Sequence, residues 1–155
     1  MKDVTQLLAE QPLFSDLGND MFALVAGCAH NEHFGADDYL FRIGDPADRF
    51  YLVRRGLVAL ELVRTGGSRL IVDTVSNGGI VGLSWLVPPY RWNLDARAVE
   101  ATSAVSIDAG CLRRKCEDEP RIGYVLLQRV SSALYQRMQA ARVRMADVYG
   151  VPSDE

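Results

Sequence analysis

The chain has 155 residues, 48% hydrophobic and 24% charged, with 13 glycines and 6 prolines, a composition that excludes collagen-like and disordered chains and fits one folded domain. No apolar run approaches the roughly 18–20 residues that span a bilayer, and Met1–Glu10 lacks the basic flank and apolar stretch of a secretory signal. Seventeen basic against 20 acidic residues leave a formal net charge of −3, which argues against a dedicated nucleic-acid binder and leaves a cytoplasmic protein as the expectation.

Taken in chain order, residues 1–32 read as helices. Val4, Leu7 and Leu8 share one face, and Pro12 ends that segment because proline cannot continue a helix interior. After the turn-like Ser15–Asp20, a second amphipathic run carries Met21, Phe22, Leu24, Val25 and Cys28. From residue 33 to 108, short β-rich runs alternate with Gly, Asp and Pro: Tyr39–Arg42, Phe50–Arg55, Leu57–Arg64, Leu70–Val75, Ile80–Val81, Leu94–Val99 and Ala104–Ile107. Short strands at regular spacing predict an antiparallel sandwich or barrel, and Thr65-Gly66-Gly67-Ser68 predicts a hairpin turn. Residues 111–149 turn helical again: a short helix over Cys111–Glu117, then a long one opened by Pro120 and running to about Tyr149. Leu127, Val130, Leu134, Met138, Ala141, Met145 and Val148 recur along it at steps of three and four. A helix of that length outruns a small β-domain, so residues 119–149 are expected to form a homodimer seam, with packing back on the sheet as the alternative. Residues 150–155 read as a frayed tail. The expected fold is therefore α+β, a mainly antiparallel, jelly-roll-like β-roll flanked by N-terminal helices and a long C-terminal helix, in a single domain over 1–155.

Chemistry-bearing residues are sparse. Cys28, Cys111 and Cys116 form no C-x-x-C pair and are expected as free thiols. His30 and His33, with Glu32 between, have the spacing of two ligands on a helical face, but a surface pair is the simpler reading and no metal site is expected. There is no G-x-S-x-G, no histidine lies near Ser84 in sequence, and the cysteines lack a partner motif. No catalytic residue is assigned.

The run from Leu40 to Gly56 carries more. A strand stops at Gly44-Asp45-Pro46, four apolar residues Phe50–Val53 follow, and Gly56 allows the next reversal. Gly44, Asp45, Ala47, the Phe50–Val53 block and Gly56 resemble the N-terminal signature of cyclic nucleotide-binding domains, the effector-sensing β-rolls of the catabolite activator/fumarate-nitrate regulator superfamily, of regulatory kinase subunits and of gated channels. The resemblance implies helices before the roll, a long helix after it that dimerises in the transcription-factor members, and a regulatory, non-enzymatic role. It implies a stand-alone member here, because the sequence stops at Glu155 where those members continue into a helix-turn-helix module, so direct DNA binding is not expected. Iron–sulfur sensing, known in some relatives, needs a cysteine cluster that the sequence lacks.

In that family a Gly-x-x-x-Gly-Glu turn cradles a cyclic phosphate, its Glu accepts from the ribose hydroxyl, and a following Arg pairs with the phosphate. Here Gly78 and Gly82 keep their places, Leu83 stands in the Glu position and Trp92 in the Arg position, with Arg91 one residue early. On a strand one residue reverses the facing direction. Losing a hydrogen bond to a charged group costs roughly 1.5–3 kcal/mol, so losing both anchors would weaken the usual binding by about two to four powers of ten. The candidate ligand-binding residues are Gly82, Leu83, Ser84, Trp85, Arg91, Trp92 and Asn93. Three readings stay open: Trp85, Tyr90 and Trp92 fill the cavity and the domain binds a protein partner; they stack on a non-standard small ligand; or Arg91 holds cyclic AMP or GMP in transcriptional regulation.

Overall fold

Helix formation starts at Asp3, whose carboxylate accepts from the Gln6 amide while the Gln6 side chain accepts from the Asp3 amide. This reciprocal cap opens α1 (Val4–Ala9), which buries Leu7 and Leu8. The computed structural model describes residues 2–150. Pro12 begins a 3-10 turn over Pro12–Phe14 that buries Leu13 and Phe14, and α2 (Asn19–Ala26) follows. Eight strands come next: β1 (Ala29–Phe34), β2 (Tyr39–Phe41), β3 (Arg49–Arg55), β4 (Val58–Val63), β5 (Arg69–Val75), β6 (Ile80–Val81), β7 (Asp95–Ala98) and β8 (Thr102–Asp108). They form two four-stranded antiparallel sheets, in the orders β1-β8-β3-β6 and β2-β7-β4-β5.

Phe50, Leu52, Val53, Val58, Ala96, Ala98, Val105 and Ile107 fill the space between and beside the sheets. Phe50–Val53 are all buried, because β3 is central in its sheet and covered on both faces. Gly66 and Gly67 take positive φ at the β4–β5 hairpin, as its sequence predicts. Gly56 is required for a different reason: at φ +118 a Cβ there would lie 2.4–2.8 Å from atoms of Ala101 and Thr102.

Asp108 caps α3 (Ala109–Asp118) through the Cys111 amide, and Pro120 opens α4 (Pro120–Tyr149), 30 residues long. Only Ile122, Leu126 and Val130 of α4 are buried. Val130 thus leaves the expected seam for the inner face. The Arg129 guanidinium donates to Leu13 O in the N-terminal 3-10 turn, while Arg137 donates to Ile80 O of β6 and Arg144 pairs with Asp73 of β5, so α4 passes the N-terminal turn and then runs along the β5–β6 side of the roll. The tail expected after Gly150 lies outside the described residues.

Two expectations are corrected. The β-roll begins at Ala29 rather than 33, because Ala29–Phe34 pairs with Thr102–Ile107 although His30-Asn31-Glu32-His33 carries no apolar alternation. On a strand His30 and His33 point to opposite faces, and His33 Nδ1 is 3.0 Å from Ser103 Oγ. Second, Cys28 and Cys111 form a disulfide, with Cα atoms 5.6 Å apart across 83 residues of sequence. Cys28 precedes β1 and Cys111 follows β8, so the β1–β8 pairing brings them together. Cys116 keeps a free thiol, whose pKa burial and the neighbouring Glu117 push up.

Candidate functional site

The Gly78–Ala98 segment builds the site. Gly78 donates its N–H to Val53 O and Val53 donates to Gly79 O, which ties the turn to β3 before β6 runs two residues. The chain then passes Gly82 and Leu83 into a 3-10 turn, Ser84–Leu86, closed by Leu86 N–H on Leu83 O and Val87 N–H on Ser84 O. The return loop pairs with the Gly44–Ala47 turn. Ala47 N–H donates to Tyr90 O at 2.8 Å, Trp92 N–H to Asp45 O at 3.0 Å, and Gly44 N–H to Trp92 O at 2.8 Å. That pairing sets which side chain faces inward.

Trp92 faces in. It is buried, and its indole stacks on Phe41 with centroids 3.8 Å apart and 9° between planes. The ring also covers Gly82: at φ +95, a Cβ on Gly82 would lie 2.6 and 2.7 Å from indole carbons. Arg91 faces out, exposed, and its guanidinium donates to Gly44 O at 2.9 Å. The loop does not shift to bring Arg91 into the Trp92 place.

A cleft of about 400 Å³ remains beside this stack. Gly82, Leu83, Ser84, Arg91, Trp92 and Asn93 line it, with Phe41 and Leu60. Trp85 does not: it is buried against Phe50, ring centroids 4.8 Å apart, its carbonyl accepts from Arg113, and its indole N–H is buried without a partner. Beneath the site, buried carboxylates hold β7 in place. Glu61 takes Arg97 at 2.7 Å, and Asp95 accepts from Arg69 at 3.1 Å and from the Ile43 amide at 2.7 Å. The hydrogen bond to Glu61 is the main cause of a raised Arg97 pKa.

One further residue lines the cleft from outside the segment. Arg137 reaches it from α4 and donates to Ile80 O. Burial lowers its pKa, and the charge of Asp73 works in the opposite direction. Spacing alone places Arg137 in the inward stripe of Ile122, Leu126, Val130 and Ala133. A charged residue continuing an apolar stripe is the signal that could have found it.

The arrangement offers an apolar, aromatic wall with two guanidinium groups, and no carboxylate lines it among the described residues. Its lining suits an apolar group carrying negative charge.

Comparison with known proteins bears on this site. The family model described as "Cyclic nucleotide-binding domain" matches residues 31–119, more than half of the chain. Among solved structures, a cyclic nucleotide-binding protein from Geobacter metallireducens GS-15 superimposes with a TM-score of 0.77 at 26% identity, over 88% of this chain and 99% of that one. The N-terminal domain of a transcriptional regulator from Streptomyces coelicolor A3(2) matches 96% of this chain and 98% of its own at a TM-score of 0.67 and 24% identity, a likeness of fold alone. Among curated proteins, the Neuropathy target esterase sws of Drosophila melanogaster is 27% identical over 125 residues. That match covers 72% of this chain but 9% of the fly protein's length.

Proposed function

The chain belongs to the cyclic nucleotide-binding domain family, and from that premise we propose that it is a non-enzymatic regulatory module whose cassette has departed from cyclic-nucleotide chemistry. The observation that carries this is the Trp92 indole lying over Gly82, with Leu83 beside it. Where the family places a carboxylate for the sugar and a guanidinium for the phosphate, this cleft has two apolar side chains. A non-standard small ligand is the reading that the remaining cleft of about 400 Å³ supports. The Phe41–Trp92 stack supports a second reading, an adaptor domain with its pocket filled that binds a protein partner. Both treat residues 1–155 as one unit. Among the described residues no helix is long and apolar enough to cross a membrane.

The module acts as a homodimer in this proposal. Leu127, Leu134, Met138, Met145 and Val148 of α4 are exposed, at the a and d spacing of a coiled coil. A ligand in the cleft would favour one arrangement of α4 over another, which is how binding is coupled to a distant output. Calorimetric titration with cyclic AMP and cyclic GMP tests the cassette: no binding in the micromolar range is expected. Micromolar binding that vanishes in Arg91→Ala would instead make the chain an ordinary cyclic-nucleotide sensor, with a role in transcriptional regulation.

A further inference from the structure

Resting on the ligand-binding reading above, we infer that the cleft takes a small organic oxyanion with a flat apolar body, its charge met by Arg137 of α4. A guanidinium carries five N–H donors. The hydrogen bond found for Arg137 is to Ile80 O, and among the described residues no carboxylate forms a salt bridge with it. Asp73, the acid that influences it, is paired with Arg144 at 3.5 Å. A half-buried cation without an anionic partner is a cost to the fold, one that apolar residues of similar size commonly remove. Arg137 bears that cost at the meeting of two cavities, the cassette cleft and a groove of about 520 Å³ between α4 and the β5–β6 turn. An oxyanion entering the cleft supplies the missing charge.

The other walls specify the rest of the ligand. Arg91 adds a second cation at the rim, no acid lines the cleft among the described residues, and Phe41, Leu60, Leu83 and Trp92 offer apolar surface. A sugar diol would find no carboxylate there to accept its hydroxyl protons, whereas a flat ring would lie against hydrocarbon and indole. The buried charge is therefore met from the long helix, with Arg91 of the cassette as the rim cation.

The test is titration of the full chain with phenyl phosphate, alongside inorganic phosphate and benzyl alcohol as the two half-ligands. Phenyl phosphate should bind more tightly than either half. Its affinity should fall roughly tenfold or more in Arg137→Met, recover in Arg137→Lys, and stay unchanged in Arg142→Met, an exposed helix residue. Ligand-free Arg137→Met should melt no lower than the parent, and added phenyl phosphate should raise the melting temperature of the parent only. A purely structural arginine predicts the reverse, a lower melting temperature with affinity intact, and that result overturns the inference. Benzyl alcohol binding as well as phenyl phosphate removes the anion assignment but leaves the ligand-binding reading standing. Silence from every probe removes both. Micromolar cyclic AMP binding through Arg91 removes the departed-cassette reading by itself.

Discussion

Gly82 and Trp92 occupy one space between them. Adding a methyl at position 82 meets the indole edge at 2.6 Å on a backbone already at φ +95, so Gly82→Ala should destabilise the fold by about 2–4 kcal/mol, read by chemical denaturation. Tyr51 makes a pH-dependent prediction. Burial, reinforced by Glu32, pushes its phenol up to about 12, and its hydroxyl donates to Leu40 O. Between about pH 10 and 12 the unfolded chain releases this proton while the folded one keeps it, so stability should fall as pH rises through that window. Denaturation midpoints on either side of it check the sign, and Tyr51→Phe should flatten the slope. Single residues were the most legible scale. Motif spacing alone singles out Leu83 and Trp92, whereas the facing of Arg91 and the arrival of Arg137 depend on contacts 47 and 57 residues away in sequence.

At the scale of elements, the helix and strand order follows apolar periodicity and turn residues closely, and α4 runs from Pro120 to Tyr149 as its spacing predicts. β1 was illegible because its exposed edge carries polar residues at most positions, so no alternation marks it. The disulfide was illegible for the same reason, since it exists only once β1 pairs with β8. A cross-link closing a loop of 83 residues should contribute about 4.5 kcal/mol by loop-closure entropy. The expected result is a lower melting temperature in Cys28→Ser/Cys111→Ser, with a matching fall when the parent is reduced, and alkylation of Cys116 alone before reduction.

For the whole molecule, α4 has two faces with different work. Ile122, Leu126 and Val130 anchor it to the roll, while Leu134 (46% exposed) and Met145 (59% exposed) face away. Hydrophobic residues repeating so regularly on an outer face are what the proposed dimer would cover. Light scattering after size exclusion should find a dimer, and Leu134→Glu/Met138→Glu should shift it to monomer with unchanged helicity. The change should weaken association about 100-fold or more. A monomeric parent at tens of micromolar would remove the dimer.

The family, and every element from β2 onward in its order, could be read from local periodicity and motif spacing. Direction and company came only with the folded chain. The pairing of the 90–92 loop with the 44–47 turn points Trp92 inward and Arg91 outward. The docking of α4 brings Arg137 to the cleft, and the β1–β8 register joins Cys28 to Cys111. All three depend on which segments meet across the fold, and side-chain facing within a strand reverses with a single residue of register.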